Sequence, residues 1–442
     1  MEAETGPLGT TALQLFSQLT PQKIPQTLLL AERDPVRFLA GFIAAVAADC
    51  PLFLGNPNWV DHEWLSAIQL IQPDRILHQG QDFPGKACQN PPDTIPSGIM
   101  ISTGGSSGQL RFAIHTWETL MASVAGFTQY FQVSTVNSCC VLPLFHVSGL
   151  MQFLRSFTTG GTFINVPSYK EIIEQSASLI NPEEFFISLV PTQLNRLLGT
   201  PESAHYLARF QTVLLGGAPA WPELLEQARR YHIPLSPTYG MTETASQIVT
   251  LKPADFLAGN SSCGRLLPHA KITITNPERE ALEVGQTGMI TIQADSLAKG
   301  YYPRENVTFG FNSFQSDDLG FMDEAGYLTV VGRHSDKIIS GGENIYPAEV
   351  EAAILGTGLV EDVCAIALPD PDWGQVVTAV YVANGEVDAE AIASLLTATL
   401  SPFKRPKYWV QIDRLPRNNR GKISRSIVQE MVLIQLKAQL KP

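Results

Sequence analysis

The 442-residue sequence has no run of lysine or arginine, no Cys-x-x-Cys pair and no long uninterrupted apolar segment. The first absence argues against nucleic acid as a partner, because a polyphosphate binder needs a concentrated basic face. Thirty Lys and Arg stand against 42 Asp and Glu, a formal net charge of −12. Such a field repels phosphate at long range, so any nucleotide must be held by local donors and a metal. The six cysteines (Cys50, Cys88, Cys139, Cys140, Cys263 and Cys364) include no Cys-x-x-Cys pair, which speaks against a zinc site or a disulfide framework. The most apolar stretch, Phe38 to Ala48, is interrupted by Asp49 and is too short to span a bilayer, so a buried helix is expected there. No basic stretch followed by an apolar core and a cleavage site opens the sequence. A soluble, cytoplasmic protein without membrane insertion is expected, and the sequence leaves room for a homo-oligomer.

What is present is a chain long enough for two or three folding units, with 44% hydrophobic residues to bury. Short β-rich runs at Ser138–Leu142, Ser188–Val190 and Thr212–Leu215 alternate with helical patterns at Glu171–Leu179 and Pro222–Tyr231. That alternation predicts an α/β class with largely parallel sheet. From about 265 to 335, strands at Lys271–Thr275, Gly288–Gln293 and Gly326–Val331 between Gly, Pro, Asn and Asp turns predict a β-rich subdomain. Beyond it, a helix at Pro347–Leu355, a strand at Val360–Leu368, a helix at Asp388–Leu400 and a strand near Tyr408–Ile412 predict a small α+β unit. Pro347 at the first turn, followed by Glu349 and Glu351, makes a sound helix start. The expected division is therefore 1–335 and 336–442.

Several short segments carry chemistry. Ser102-Thr103-Gly104-Gly105-Ser106-Ser107-Gly108 offers bare backbone N–H groups and hydroxyls, the means by which a loop wraps phosphate oxygens. It lacks the Gly-Lys-Ser/Thr of a Walker A loop, and its composition also suits a surface linker. His146 lies in the apolar segment Pro143–Gly149, as a pocket-lining ring or a satisfied structural one. Gly216-Gly217-Ala218-Pro219 ends a strand with residues small enough for a flat base to stack on backbone. In Tyr239-Gly240-Met241-Thr242-Glu243, the carboxylate suits Mg²⁺ beside phosphates and Thr242 suits a phosphate oxygen. Asp318, before Leu319-Gly320, could accept both hydroxyls of a ribose. A Gly-rich loop at Ser340-Gly341-Gly342-Glu343-Asn344 leads into a helix, and Arg420-Gly421-Lys422 puts a lysine on a turn. Each has a plain alternative as a polar, β- or basic surface turn.

The order and spacing of these segments are more specific than any one of them. From about residue 100 to residue 425 the chain resembles the adenylate-forming superfamily of acyl-CoA synthetases, adenylation domains and luciferases. Within it, the resemblance narrows to the branch that activates 2-succinylbenzoate in menaquinone and phylloquinone biosynthesis. It does so on the short region before the phosphate loop, the segment Val190–Leu194, the run Gly240–Leu251 and the compact length. The resemblance implies ATP, Mg²⁺ and coenzyme A as ligands beside an aryl keto-acid. It implies that the loop Thr103–Arg111, with Thr103, Gly105, Ser106, Ser107, Gly108 and Arg111, closes over the phosphates. The sequence departs from the family there, with Gly104 where Ser is common, Leu110 for Pro and Arg111 for Lys. Arginine keeps the charge but not the geometry, so pyrophosphate would be handled differently.

By the same resemblance, Gly216–Pro219, Tyr239 and Gly240 line the adenine site, Thr242 contacts phosphate and Glu243 binds Mg²⁺. Asp318 and Arg333 hold the ribose, and His146 lies at the acyl pocket. Thr192, Gln193, Ser246 and Gln247 are the candidate contacts of the acid. Lys422 is implied as the catalytic cation of adenylation, offsetting the repulsion as a carboxylate attacks the α-phosphorus. A C-terminal domain turning about Asp336 would then withdraw it and bring Gly341 and Gly342 towards the pantetheine arm. Competing expectations are a ligase for another aryl or acyl acid, an adenylation domain loading a carrier protein, a luciferase-like monooxygenase and a non-catalytic nucleotide sensor. The presence of Glu243, Asp318 and Lys422 weighs against the sensor.

Overall fold

In the first half of the chain, runs such as Leu28-Leu29-Leu30 are apolar at every position, which suits a strand buried on both faces. The computed structural model describes residues 6–20, 25–84, 95–103, 110–176, 179–303, 309–310, 313–340, 343–370, 372–417 and 423–439. In it Leu28–Leu30 (β1), Leu52–Leu54 (β2), Arg75–His78 (β3), Gln81–Pro84 (β4), Ile99–Thr103 (β5) and Arg111–His115 (β6) belong to one seven-stranded sheet. β3, β1, β2 and β5 run parallel in that spatial order, and β6 returns antiparallel to β5. Successive side chains point to opposite faces. Leu28, Leu30, Leu52, Leu54, Ile99 and Ile101 therefore enter one core and Leu29, Phe53 and Met100 another.

A second seven-stranded sheet holds Asn137–Cys140 (β7), Phe163–Asn165 (β8), Phe185–Leu189 (β9), Thr212–Leu215 (β10), Leu235–Met241 (β11), Ser246–Thr250 (β12) and Arg265–Leu266 (β13). β8, β7, β9, β10 and β11 are parallel, and β12 closes against β11 as an antiparallel neighbour. Helices Trp117–Phe131 and Val147–Thr159 lie between the sheets. Leu120, Val124, Leu150 and Leu154 pack on the first sheet, while Phe127 packs on Phe186 and Leu214 of the second. Each fully buried Leu or Phe contributes about 1.5–3 kcal/mol. The helix predicted from the apolar stretch runs Pro35–Ala47, capped by Asp34 on the Arg37 N–H.

The β-rich stretch forms a third sheet from Ala270–Thr275 (β14), Gly288–Ala294 (β15), Phe309–Gly310 (β17), Ser313–Met322 (β18) and Leu328–Arg333 (β19). Between β15 and β17, Tyr301–Tyr302 (β16) returns to the first sheet and pairs with β6. A fourth sheet collects Ile338–Ser340 (β20), Glu343–Ile345 (β21), Val360–Asp370 (β22), Gly374–Ala383 (β23) and Tyr408–Gln411 (β24), with two cores of its own. Among the described residues no helix is long and apolar enough to cross a membrane.

Two details differ from expectation. The predicted helix 171–179 is a 3₁₀ turn Tyr169–Glu171 capped by Ser168, followed by a helix of only five residues, Ile172–Ser176. The helix predicted at 388–400 stops at Leu395 and continues as a 3₁₀ turn, Leu396–Ala398. β23, which the sequence pattern does not single out, pairs along nearly its whole length with β22.

Candidate active site

Strands β9, β10 and β11 end side by side, and open α/β sheets offer ligand crevices at such carboxyl ends. The chain leaving β11 makes a 3₁₀ turn, Thr242–Thr244, and then takes two left-handed residues in succession, Ala245 (φ 50°) and Ser246 (φ 92°). Neither is glycine, and such conformations persist only where the surroundings over-determine them. Here every carbonyl of the turn is held. The carbonyl of Thr242 faces His115 Nε2 at 2.7 Å, and that of Glu243 accepts from the Ala298 N–H at 2.8 Å. Those of Thr244, Ala245 and Ser246 accept from the hydroxyls of Ser296 (2.9 Å), Ser123 (2.7 Å) and Thr244 (2.6 Å). His115 is fully buried, and that burial pushes its pKa down to about 4. The ring is therefore neutral, with Nε2–H the donor to Thr242 and Nδ1 facing Thr119 Oγ1 at 3.0 Å. Gly240 permits the fold-back, because a Cβ there would stand 2.2 Å from the Ser246 carbonyl oxygen.

The turn thus presents Thr242 and Glu243 just beyond the carboxyl end of β11. Glu243 is 8% exposed, and its Oε1 accepts from the Tyr301 hydroxyl at 2.6 Å. Among the described residues no group of three or more His, Cys, Asp and Glu gathers as a self-sufficient metal cage. A single buried carboxylate beside hydroxyls is nevertheless the donor set Mg²⁺ uses when nucleotide phosphates complete its shell, so the residues present fit that ion.

Asp318 on β18 faces Arg333 on β19 in register. Its Oδ1 accepts from Arg333 Nε at 3.2 Å and its Oδ2 from the Tyr239 hydroxyl at 2.9 Å. Burial and the Asp318 charge keep the Tyr239 phenol well above its ordinary pKa. Three sequence candidates from separate segments are thereby joined. Gly216 follows β10 beside Thr238 and Gly217 beside Val190, and Gly217 takes φ 84°, a left-handed conformation that glycine adopts freely. Ala218 and Pro219 continue that strand end.

Beside Ser246 and Gln247, the sequence candidates for the acid, stands a residue that sequence reasoning missed. Arg155, in helix Val147–Thr159, is 2% exposed, and among the described residues no carboxylate lies within ion-pair distance of it. Its Nη2 reaches Ser246 Oγ (3.2 Å) and Gln247 Oε1 (3.5 Å), and its guanidinium lies 4.1 Å over the Phe127 ring. Nε has no hydrogen-bond partner, nor have the neighbouring Ser156 Oγ and Gln152 Oε1 one turn earlier. Burial without a counter-charge pushes the guanidinium down to about 9, still cationic at neutral pH. His269 packs on Gly126, next to Phe127, with both ring nitrogens buried and unbonded. Burial first, with Arg155 adding to it against Asp295, pushes His269 down to about 4. Buried unmade hydrogen bonds cost about 1–3 kcal/mol each, so these groups call for a polar partner from solvent or a bound molecule. A signal existed in the sequence: a charge on the buried face of an amphipathic helix.

The remaining candidates divide. His146 stands at the N-cap position of that same helix, half-buried against Phe145. Gln193 turns back to accept the Val190 N–H through Oε1 at 3.1 Å, and Thr192 is exposed on the same helix turn. Among the described residues no hydrogen bond ties these two to Ser246 or Gln247. Thr103 and Arg111 meet across the β5–β6 hairpin, Arg111 Nε donating to Thr103 Oγ1 at 3.0 Å. Gly105, Ser106, Ser107 and Gly108 between them lie outside the described residues, as do Gly341, Gly342 and Lys422. Asp336 accepts from Arg425 Nε at 3.2 Å. The same arginine makes a bidentate pair with Glu351 at 2.6 and 2.9 Å.

The AMP-binding enzyme family matches residues 36–302, and the AMP-binding enzyme C-terminal domain family matches 349–422. The chain belongs to the AMP-binding enzymes. This AMP-binding enzyme is 32% identical over 431 residues to a 2-succinylbenzoate–CoA ligase of Listeria innocua, covering 96% of this chain and 84% of the relative. With the counterpart of Oceanobacillus iheyensis it shares 37% identity over 287 residues, 64% of this chain and 59% of the relative. The o-succinylbenzoate CoA synthetase of Bacillus subtilis, solved with its acyl-adenylate intermediate OSB-AMP, superposes with a TM-score of 0.80 at 27% identity, covering 96% of this chain and 92% of that one. The same synthetase in complex with ATP and magnesium ion gives 0.79 at 26% identity, with 95% and 93% covered.

Proposed function

We infer that this AMP-binding enzyme is an acid–thiol ligase joining 2-succinylbenzoate to coenzyme A at the expense of ATP, with AMP and diphosphate released, in menaquinone or phylloquinone biosynthesis. The observation that carries the choice of acid is the buried, uncompensated Arg155 beside Ser246 and Gln247. The acid has two carboxylates. One is consumed by activation, and the other needs a cation in a dry pocket, where an unpaired charge is costly to either partner alone. Benzoate, a coumarate or a fatty acid would leave that arginine unmatched.

In the first half-reaction a carboxylate oxygen forms a bond to the α-phosphorus, and the bond to the β-phosphate bridging oxygen breaks, diphosphate leaving with the electron pair. Tyr239, Asp318 and Arg333 hold the nucleoside, while Thr242 and the β5–β6 loop receive the phosphates. Mg²⁺, held by Glu243 and the phosphates, supplies neutralisation of the charge on the leaving diphosphate. Lys422 offsets the repulsion between carboxylate and α-phosphate. In the second half-reaction the coenzyme A sulfur attacks the acyl carbon and AMP departs. The chain would act as two bodies, 1–335 and 336–442, turning about Asp336 between the steps.

The test is diphosphate release and thioester formation with ATP, Mg²⁺, coenzyme A and either 2-succinylbenzoate or 4-oxo-4-phenylbutanoate, which lacks the ring carboxylate. Benzoate, a coumarate and a fatty acid complete the panel. The expected result is turnover of 2-succinylbenzoate with a KM about 100-fold lower than that of the monoacid, a preference abolished by Arg155→Leu. Equal use of the two keto-acids, or preference for another acid, would overturn the substrate assignment and leave the family membership intact.

A further inference from the structure

Glu243 is connected to the phosphate loop by a residue with no part in the scheme above. Tyr301 is 6% exposed on β16 and pairs with Ala113 of β6. Its hydroxyl donates to Glu243 Oε1 at 2.6 Å, and its ring supports the Arg111 guanidinium, 4.5 Å from the centroid. Arg111 in turn donates to Thr103, so the two ends of the 104–109 segment are clasped beside that ring. Alternation along β6 puts Arg111, Ala113 and His115 on one face, and the small Ala113 in the middle makes room for the tyrosine. His115 holds the Thr242 carbonyl from the other side. The first sheet thereby grips a turn that belongs to the second.

From this geometry, and resting on the adenylate-forming reading, we propose that Tyr301 is a positioning residue that sets the Glu243 carboxylate for Mg²⁺·ATP and couples it to the cation at the end of the phosphate loop. The phenol occupies Oε1 and directs Oε2 towards the phosphates. Loss of a hydrogen bond to a charged group corresponds to about tenfold or more in the affinity it supports. The ring has a separate duty, because it carries Arg111 whether or not the hydroxyl is present.

Two substitutions separate these duties. Tyr301→Phe keeps the ring and the packing, while Tyr301→Leu removes both hydroxyl and ring. ATP binding by the full chain is measured calorimetrically across a Mg²⁺ titration and again with EDTA. Diphosphate release and thioester formation from supplied acyl-adenylate are measured separately. Tyr301→Phe is expected to raise the Mg²⁺ concentration for half-maximal ATP binding about tenfold and to slow diphosphate release in proportion. Metal-free ATP binding and thioester formation should stay within about twofold of the wild type. Tyr301→Leu should also weaken metal-free binding. An unchanged Mg²⁺ dependence in Tyr301→Phe, or an equal loss in both half-reactions, would overturn the proposal. If the wild type adenylates no acid, the proposed function falls, and the calorimetric titration still decides the role of Tyr301.

Discussion

The turn at 242–246 and the node around Arg425 attach functional residues to the fold in opposite ways. The turn is a short, strained piece of backbone whose five carbonyls are held from β6, the 296–298 segment, helix Trp117–Phe131 and the turn itself. The Arg425 node joins the last helix to Asp336 and Glu351 through charged side chains, with 26% of the arginine side chain and 31% of that of Asp336 still exposed. Nearby, Ser335 is bound through its N–H and hydroxyl to Asp317. Buried neutral hydrogen bonds fix one geometry, and exchange among them would leave donors unmet. An ion pair that solvent reaches, as at Arg425 and Asp336, is exchanged for water at less cost than a fully buried one. Thr242 and Glu243, the proposed phosphate and metal groups, are therefore held on a rigid junction of two sheets. Asp336, the proposed hinge, is held to the last helix by an ion pair that solvent reaches.

The sharpest way to break this contrast is Lys422→Ala. If the lysine acts only in adenylation, diphosphate release should fall about 10²–10³-fold, while thioester formation from supplied acyl-adenylate stays near wild type. A matching fall in both steps would mean that the C-terminal unit is held as firmly in one position as the turn. A somewhat smaller effect is expected from acid. His115 has a folded pKa of about 4 against 6.5, so below pH 6.5 the unfolded chain takes up the proton first. Its contribution is complete above pH 6.5 and is lost towards pH 4, about 3 kcal/mol in all. Lys299 is the charged neighbour that adds to the depression. Urea midpoints of the wild type and His115→Gln at pH 7 and 4.5 should converge at the lower pH. Parallel profiles would remove His115 as the group that titrates.

Arg425→Ala sharpens the other side. It leaves Glu351, whose Oε1 also accepts the Ala365 N–H, short of its counter-charge. The cost should be about 2 kcal/mol, below the ~3–5 of a fully buried pair because solvent reaches both partners. It should appear as earlier urea unfolding of the fourth sheet, read by Trp373 and Trp409 fluorescence, with metal-free ATP binding unchanged. The smallest effect belongs to Gly217→Ala. A Cβ there meets only ordinary contact with Val190, so the left-handed backbone is the whole cost, about 1 kcal/mol, read from the thermal midpoint.

Much of this was legible along the chain. Tyr239, Asp318 and Arg333 belong to segments with characteristic spacing, and they meet in the structure within hydrogen-bond distance. The β-branched run of β23 is also readable, as Val376-Val377-Thr378 and Val380-Tyr381-Val382, but it adjoins a strand of similar texture and does not stand apart from it. Arg155, His115, His269 and Tyr301 had no such spacing. Arg155 lies on a helix, His115 ends a strand, His269 sits in the turn before β14 and Tyr301 in a two-residue strand, and in each case the local pattern is the same whichever partner the fold supplies.

By itself the sequence determined which segments become two-sided buried strands, where glycine and hydroxyl loops interrupt them, and the order that identifies the family. Those are local properties, set by side-chain volume, alternation and backbone freedom. Only the tertiary structure decided that Arg155 meets Ser246, 91 residues away, rather than a carboxylate, and that Tyr301 reaches Glu243 across 58. Pairing depends on what the other elements bring to the same point, and in a low-dielectric interior the missing partner matters as much as those present.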